Sequence, residues 1–188
     1  MDTERAGTAR TTAELEAGVD EVRQSPRDRG TLELAVVRPA VDERRVLDEV
    51  HFDTEHGVVG DTWNVRPTSS SPLPNPEAQV TLMNARAATL IAGGRTRWPL
   101  AGDQLYVDLD LSGEHLPPGS RLQIGTAVLE VSAKPHTGCA KFSARFGSDA
   151  FRFVNSPVGR ALNLRGVNAR VVASGVAHAG LEVLKLLP

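Results

Sequence analysis

Residues 134–147, KPHTGCAKFSARFG, contain the only cysteine of the chain and mark the change from a strand to a helix. The preceding run, Ala127–Val131, is apolar and rich in β-branched residues, which predicts a strand. A proline then follows, and it lacks the N–H that a central strand needs. Thr137 is the predicted N-cap of a helix that Gly147 ends. This pattern places Cys139 in the first helical turn.

The predicted position of Cys139 leaves two interpretations of its sulfur. At a helix N-terminus the free N–H groups and the helix dipole favour a thiolate, the form that attacks sulfur or binds a metal ion. His136, Lys134 and Lys141 would add positive charge nearby. The alternative is an inert core thiol, because Cys139 shares a helical stripe with two phenylalanines and free cysteines are often buried.

Basic residues dominate the chain from residue 134 to residue 170, although the formal net charge of the whole protein is −2. The segment has one acidic residue, Asp149, and seven basic ones. The basic residues are Lys134, Lys141, Arg145, Arg152, Arg160, Arg165 and Arg170. This asymmetry favours an anionic ligand such as a phosphate, and the alternative is a solvated basic surface. We therefore prefer the reactive interpretation of Cys139.

The composition excludes several broad classes of protein. With 188 residues, of which 40% are hydrophobic and 23% charged, the chain is expected to form one globular domain. A single cysteine allows no internal disulfide, and we find no signal peptide or membrane-spanning run, so we expect a cytoplasmic protein that does not contact membranes. The slightly acidic net charge and the lack of a recognition motif argue against a nucleic-acid partner.

Short predicted strands alternate with turn signals along most of the chain, which is typical of a barrel or a strongly curved sheet. The predicted strands are residues 31–37, 45–52, 79–83, 105–109, 121–124, 127–133, 168–174 and 182–186. Further helices are predicted at 12–24, with Thr12 as N-cap, at 84–92, 149–154 and 158–162. A proline- and serine-rich loop is predicted at 66–77, and a turn at 175–180. The expected fold is mainly β with a few short helices, in the α+β class.

Residues 57–61, GVVGD, form a predicted tight turn in which the glycines allow close backbone approach. Asp61 either accepts a hydrogen bond from a ligand or caps the turn. Just before this turn, His51, Asp53 and His56 have side chains that commonly bind zinc or iron, with a solvated turn as the alternative.

Four segments in the same order resemble the MOSC family, named for the C-terminal domain of molybdenum-cofactor sulfurases. They are the Gly-x-x-Gly-Asp turn at 57–61, the strand entry AGDQL at 101–105, the hairpin at 122–131, and Pro-x-x-x-Cys-x-Lys-Phe at 135–142 followed by Arg-Phe-Gly. The match runs from about residue 31 to the end. We therefore predict a MOSC-like β-barrel domain at 31–188 after an N-terminal extension at 1–30.

The resemblance implies a sulfur carrier or sulfur transferase in metal–sulfur or molybdenum cofactor metabolism. Cys139 would be the catalytic thiolate or a metal ligand, and His136 could donate a proton to the leaving sulfur. The alternatives are a non-catalytic module that binds a molybdopterin-type anionic cofactor, and an interaction domain in which Cys139 is merely packed. The predicted cofactor-binding residues are Gly60, Asp61, Asp103, Lys134, Thr137, Lys141 and Arg145.

The expected partners follow from the basic segment and from the length of the chain. The basic segment predicts an anionic small-molecule cofactor or sulfur acceptor. The chain is too short to include a pyridoxal-phosphate-dependent desulfurase, so a separate protein of that kind would have to donate the sulfur.

Overall fold

The computed structural model describes residues 9–65 and 73–187, which form eleven strands and four α-helices. The strands are β1 (Arg29–Val37), β2 (Arg45–Leu47), β3 (Glu49–Asp53), β4 (Gly57–Val58), β5 (Val80–Asn84), β6 (Leu105–Asp108), β7 (Arg121–Ile124), β8 (Ala127–Val131), β9 (Val167–Ala173), β10 (Gly175–His178) and β11 (Glu182–Leu186). The helices are α1 (Thr12–Arg23), α2 (Ala85–Ala92), α3 (Ala140–Asn155) and α4 (Pro157–Ala161). Short 3-10 helices span Trp63–Val65, Pro76–Ala78 and Arg95–Ala101.

Seven of the strands form a closed barrel in the order β11-β7-β8-β9-β5-β6-β1. Strand β1 closes it, because its first half pairs with β11 while its other edge pairs with β6. The barrel is mixed, since β5 and β6 run parallel and the other neighbours are antiparallel. The predicted α+β barrel is therefore confirmed, with about as much helix as strand.

Successive side chains along the barrel strands point to opposite faces of the sheet, so the buried residues form two cores. In β6, Leu105 and Val107 point into the barrel, whereas Tyr106 lies in a second core beneath the helices. In β5, Leu82 and Met83 divide in the same way. These strands are buried on both faces, which explains why their sequences read as nearly continuous apolar runs.

Helix α1 covers one side of the barrel with a single apolar face. Its buried residues are Leu15, Val19 and Val22, at the spacing that the sequence predicts. The N-cap is Thr11 rather than the predicted Thr12, and the Thr11 side chain forms a capping box with the residue three positions later. The helix is therefore packed on the outer core, joined to α3 through the Thr12 N–H, which donates to Asp149 at 3.0 Å.

Two parts of the predicted strand pattern are wrong. The single strand predicted at 45–52 is two strands, because the chain bends at Asp48 and leaves the barrel. Strand β2 extends β1, whereas β3 joins β4 and β10 in a separate three-stranded sheet. The turn predicted at 175–180 is largely strand β10, whose single buried residue, Ala177, is too weak an apolar signal to predict a strand.

The loop predicted at 66–77 falls partly outside the described residues, which resume at residue 73. Its last residues enter a 3-10 helix that the Asn75 side chain caps. No helix within the described ranges is long and apolar enough to cross a lipid bilayer.

Candidate functional site

The loop between β8 and α3 is fixed at both ends by asparagine side chains. Asn168 of β9 donates to the carbonyl of Lys134 at 3.0 Å, where the loop begins. Asn155, at the far end of α3, accepts from the N–H of Gly138 at 3.2 Å. A Cβ atom on Gly138 would lie 3.0 Å from both Asn155 and Val154, so glycine permits this close approach. The loop therefore holds the residue that follows it, Cys139, in a defined place.

Cys139 is exposed and is the N-cap residue of α3. The N-cap predicted at Thr137 is wrong, because the chain stays extended for two more residues before the helix begins. The Cys139 side chain makes no capping hydrogen bond. Phe142 and Phe146 are buried beneath the helix, but Cys139 precedes the first turn and so lies outside their stripe. The interpretation of Cys139 as a thiol buried in the core is therefore wrong.

His136 lies in the same loop and faces a buried ion pair. Its Nδ1 atom is 3.4 Å from Oδ1 of Asp103, whose side chain is fully buried. The other carboxylate oxygen of Asp103 accepts from Arg165 at 2.5 Å, and Arg165 also donates to the carbonyl of Ala101 at 2.9 Å. Neither His136 Nδ1 nor Asp103 Oδ1 has a hydrogen-bond partner in the described part of the chain, so their approach is an electrostatic contact only.

Burial and the positive charge of Arg165 lower the pKa of His136 to about 3, and the opposing effect of Asp103 is smaller. The imidazole is consequently neutral at pH 7. The expectation that His136 adds positive charge beside Cys139 is wrong for this reason. A neutral imidazole can still orient or accept a proton, so its predicted part in catalysis remains a prediction.

Asp61 is buried in the turn after β4 and makes only internal contacts among those described. Its two oxygens accept from the side chain of Arg38, at 2.9 and 2.8 Å, and from the backbone N–H of the same residue. Oδ1 also accepts from the N–H of Trp63 at 3.0 Å. The Asp61 carboxylate is thus engaged within the turn and by Arg38, which donates to the carbonyl of Gly102 at 3.1 Å, and its predicted ligand contact remains a prediction.

A cationic surface forms where the β1–β2 turn meets α3. Arg145 donates to Asp42 at 3.0 Å and to the carbonyl of Leu100 at 2.9 Å, and Lys141 approaches Asp42 to 3.4 Å. Arg44 forms no ion pair with any described carboxylate, and its buried Nε has no hydrogen-bond partner there. Burial and repulsion from Arg145 and Arg38 lower the pKa of Arg44.

We call the five cations at this end of the barrel the basic cluster. Its members are Arg38, Arg44, Lys141, Arg145 and Arg165. Three carboxylates lie against it, those of Asp42, Asp61 and Asp103. Five positive and three negative charges leave an excess of two positive charges, which is the electrostatic requirement for holding an anion.

Only part of the predicted basic segment converges here. Arg152 pairs with Asp149, Arg170 pairs with Glu130, and Arg160 donates to a backbone carbonyl. Among the predicted cofactor-binding residues, Lys141, Arg145, Asp103 and Asp61 belong to or contact the basic cluster. The others, Gly60, Lys134 and Thr137, are exposed, and their predicted ligand contacts remain predictions.

Sequence reasoning missed the contribution of the β1–β2 turn. Arg38, Asp42 and Arg44 are separated from α3 by about half the chain, and only the packing of the turn against the helix brings them to Arg145. Arg38 could have been identified as a candidate from the sequence, because it is a charged residue that directly follows the buried apolar end of β1.

The residues that suggested a metal site, His51, Asp53 and His56, form pairs with neighbouring side chains. His56 pairs with Asp53, and His51 pairs with Glu49, all at exposed positions. Within residues 9–65 and 73–187, no three His, Cys, Asp or Glu side chains lie close enough together to hold a metal ion. The metal role predicted for Cys139 remains a prediction.

Comparisons with known proteins support the fold. The structure of the YuaD protein from Bacillus subtilis superposes with a TM-score of 0.60 at 18% identity, over 85% of this chain and 97% of that one. YiiM from Escherichia coli gives 0.55 at 18% identity, over 84% and 70%. YiiM from Geobacillus stearothermophilus gives 0.53 at 13% identity, over 87% and 75%. No protein-family model and no curated protein sequence matches the chain.

These similarities fit the predicted MOSC-like fold. At this level of identity they extend to the architecture and not to the chemistry.

Proposed function

We propose that this protein is a MOSC-type sulfur carrier or sulfur transferase that binds an anionic substrate on the basic cluster and uses Cys139 as its nucleophile. The observation that carries the proposal is the position of Cys139. An exposed thiol begins a helix whose next two turns contribute Lys141 and Arg145 to the basic cluster. An exposed thiol beside these cations is accessible to an anionic substrate that the positive charges attract. The reducing cytoplasm would keep this thiol free.

The reaction we propose is transfer of a sulfane sulfur. The Cys139 thiolate attacks the outer sulfur of a persulfide on a donor protein, a new S–S bond forms on Cys139, and the donor thiolate leaves. A pyridoxal-phosphate-dependent desulfurase is the class of protein that supplies such persulfides. A nucleophilic group of an anionic acceptor in metal–sulfur or molybdenum cofactor metabolism then attacks the outer sulfur of the Cys139 persulfide, and the Cys139 thiolate leaves. We also propose that His136, three residues before Cys139 in the same loop, exchanges a proton with the sulfur that leaves.

The experiment is to load the purified protein with a small persulfide donor and to locate the added sulfur by mass spectrometry. We expect one added sulfur atom on Cys139 in the native protein, and none in Cys139→Ser. Alkylation of Cys139 by iodoacetamide in the folded protein would accompany this result. A native protein that neither gains sulfur nor is alkylated until it unfolds would exclude the proposal.

A second candidate function is suggested by Arg44, a cation with no ion-pair partner among the described residues. The chain would then be a non-catalytic module that binds a molybdopterin-type cofactor. The donor set fits such a group: the Arg44, Lys141 and Arg145 side chains suit its phosphate, and the Cys139 sulfur suits molybdenum. When bound, the cofactor would supply a redox-active metal centre.

Analysis of the protein as purified from its own host separates the two candidates. Equimolar molybdenum and pterin that are lost in Cys139→Ser would support the binding module. Persulfide on Cys139 without molybdenum or pterin would support the sulfur carrier.

A further inference from the structure

Asp42 is an exposed carboxylate that lies against the basic cluster. It lies at the tip of the β1–β2 turn with a φ of 60°, in the left-handed region that few residues other than glycine and Asn/Asp adopt. Its side chain is 61% exposed, yet Oδ1 faces both Arg145 Nη2 at 3.0 Å and Lys141 Nζ at 3.4 Å. One carboxylate oxygen therefore takes hydrogen bonds from two cations on α3.

The cations around this carboxylate are not neutralised by it. Arg44 and Arg145 both lie over Gly102, where a Cβ atom would be 3.8 Å from Arg44 Nη2 and 3.9 Å from Arg145 Nη1. Repulsion between these guanidinium groups contributes to the lowered pKa of Arg44. A single monoanion on an exposed turn thus occupies a place where two guanidinium groups and an ammonium group converge.

We infer that the Asp42 carboxylate is a built-in competitor, occupying the position that a tetrahedral dianion takes when ligand binds. The ligand group is a phosphate-like oxyanion, either free or as the phosphoryl end of a larger molecule. It would carry more charge than Asp42 and offer more acceptor oxygens to Arg44, Arg145 and Lys141. Exposed ion pairs are weak, so the β1–β2 turn can release Asp42 at small cost.

This inference rests on the proposed function to the extent that both require the basic cluster to bind an anion. It adds that the turn modulates the site, with Asp42 lowering its affinity for anions by modest competition. Small monoanions such as chloride would compete poorly with the tethered carboxylate, which would make the site selective for dianions.

The test is calorimetric titration of the full chain with inorganic phosphate, and in a second arm with phenyl phosphate, at constant ionic strength. We expect Asp42→Asn to bind phosphate about two- to fivefold more tightly than the native protein, because the competing carboxylate is gone. Glu43→Gln is the matched control. It removes the same charge from the same turn, at a side chain that forms no ion pair among the described residues, and we expect less than a twofold change.

Arg145→Gln distinguishes failure of the inference from failure of the proposed function. If Arg145→Gln weakens phosphate binding while Asp42→Asn and Glu43→Gln behave alike, the basic cluster binds anions but Asp42 is no competitor, and the inference is wrong. If neither ligand binds the native protein or Asp42→Asn, both the inference and the proposed anion site fail. Tighter binding of phenyl phosphate than of phosphate would identify the phosphoryl end of a larger ligand.

Discussion

At the scale of single residues, His136 is the group whose environment makes the sharpest prediction. Its imidazole is 15% exposed, and its Nδ1 atom is buried against Asp103 with Arg165 nearby. The pKa of His136 in the folded protein, about 3, is below the value of about 6.5 in an unfolded chain. As the pH falls below 6.5, the unfolded chain therefore binds a proton more readily than the folded protein.

This difference in proton binding makes the protein less stable in acid. The stability that the neutral His136 contributes is fully present above pH 6.5 and is lost as the pH falls toward 3. Below pH 6, we expect the free energy of unfolding to fall more steeply in the native protein than in His136→Asn, by up to about 1.4 kcal/mol per pH unit. Urea titrations at several pH values measure this slope. His178→Asn, at an exposed position, should leave it unchanged.

Arg165 neutralises the buried carboxylate of Asp103, so its removal should be costly. Arg165→Met leaves Asp103 charged and unpaired at a fully buried position. We expect a loss of about 3–5 kcal/mol in the free energy of unfolding, measured by chemical denaturation. Arg170→Met is the matched control, because Arg170 is 54% exposed and pairs at the surface, where the expected loss is below about 1 kcal/mol. Equal losses in the two variants would contradict this assignment.

At the scale of elements, Gly147 determines how α3 presents Cys139. Its φ of 92° and ψ of 165° interrupt the helix in a region that is open essentially only to glycine. The half of α3 after Gly147 returns to the loop before the helix, where Asn155 and Val154 contact Gly138. The position of the reactive thiol therefore depends on a backbone turn that lies eight residues away in the sequence.

Gly147→Ala should strain this turn. A Cβ atom there would also lie 2.9 Å from the Ala9 side chain. We expect a loss of about 1–3 kcal/mol in the free energy of unfolding and a change in the alkylation rate of Cys139. Gly94→Ala serves as the control, since Gly94 has extended backbone and nothing within 4 Å of the added atom. An unchanged stability and alkylation rate in Gly147→Ala would refute the coupling.

Elements that have a strong local sequence pattern were predicted correctly. Predictions failed where contacts between distant parts of the chain determine the local structure. The helices predicted at 12–24 and 84–92 correspond to α1 and α2 to within one residue at each end. The start of α3 was misplaced, because Thr137 is a better N-cap by residue type than Cys139. That preference is overridden by the bonds that fix the loop at Lys134 and Gly138.

The candidate site was predictable only on its α3 side. Cys139, Lys141 and Arg145 follow from one local segment, whereas Arg38 and Arg44 reach the site through the closure of the barrel and the packing of the β1–β2 turn. Spacing along a chain does not encode such convergence. The same limit applies to the charge of His136, which depends on burial and on Arg165.

At the scale of the whole molecule, the core inside the barrel and the outer core beneath the helices are built from the same strands. Strands β5 and β6 contribute alternate residues to both cores, so neither core can lose its packing without exposing the other. We expect one cooperative unfolding transition. In Trp63→Phe the remaining tryptophan, Trp98, reports on the outer core. Its fluorescence and the far-ultraviolet circular dichroism of the whole chain, which reports helices and strands together, should give coincident midpoints, and separate midpoints would contradict a single transition.

The charge around the thiol is also a property of the assembled molecule, because three separate segments supply the basic cluster. Near such an excess of positive charge, an anionic reagent reaches Cys139 more often than a neutral reagent of similar size, and added salt should reduce the advantage.

The most direct measurement is the ratio of the rates at which iodoacetate and iodoacetamide alkylate Cys139. In the native protein we expect this ratio to exceed that of the urea-unfolded chain by roughly threefold or more at low salt. It should fall toward the unfolded value in the Lys141→Gln, Arg145→Gln double variant. A native ratio equal to the unfolded one, or unchanged in the double variant, would contradict the claim that the thiol and the basic cluster form one site.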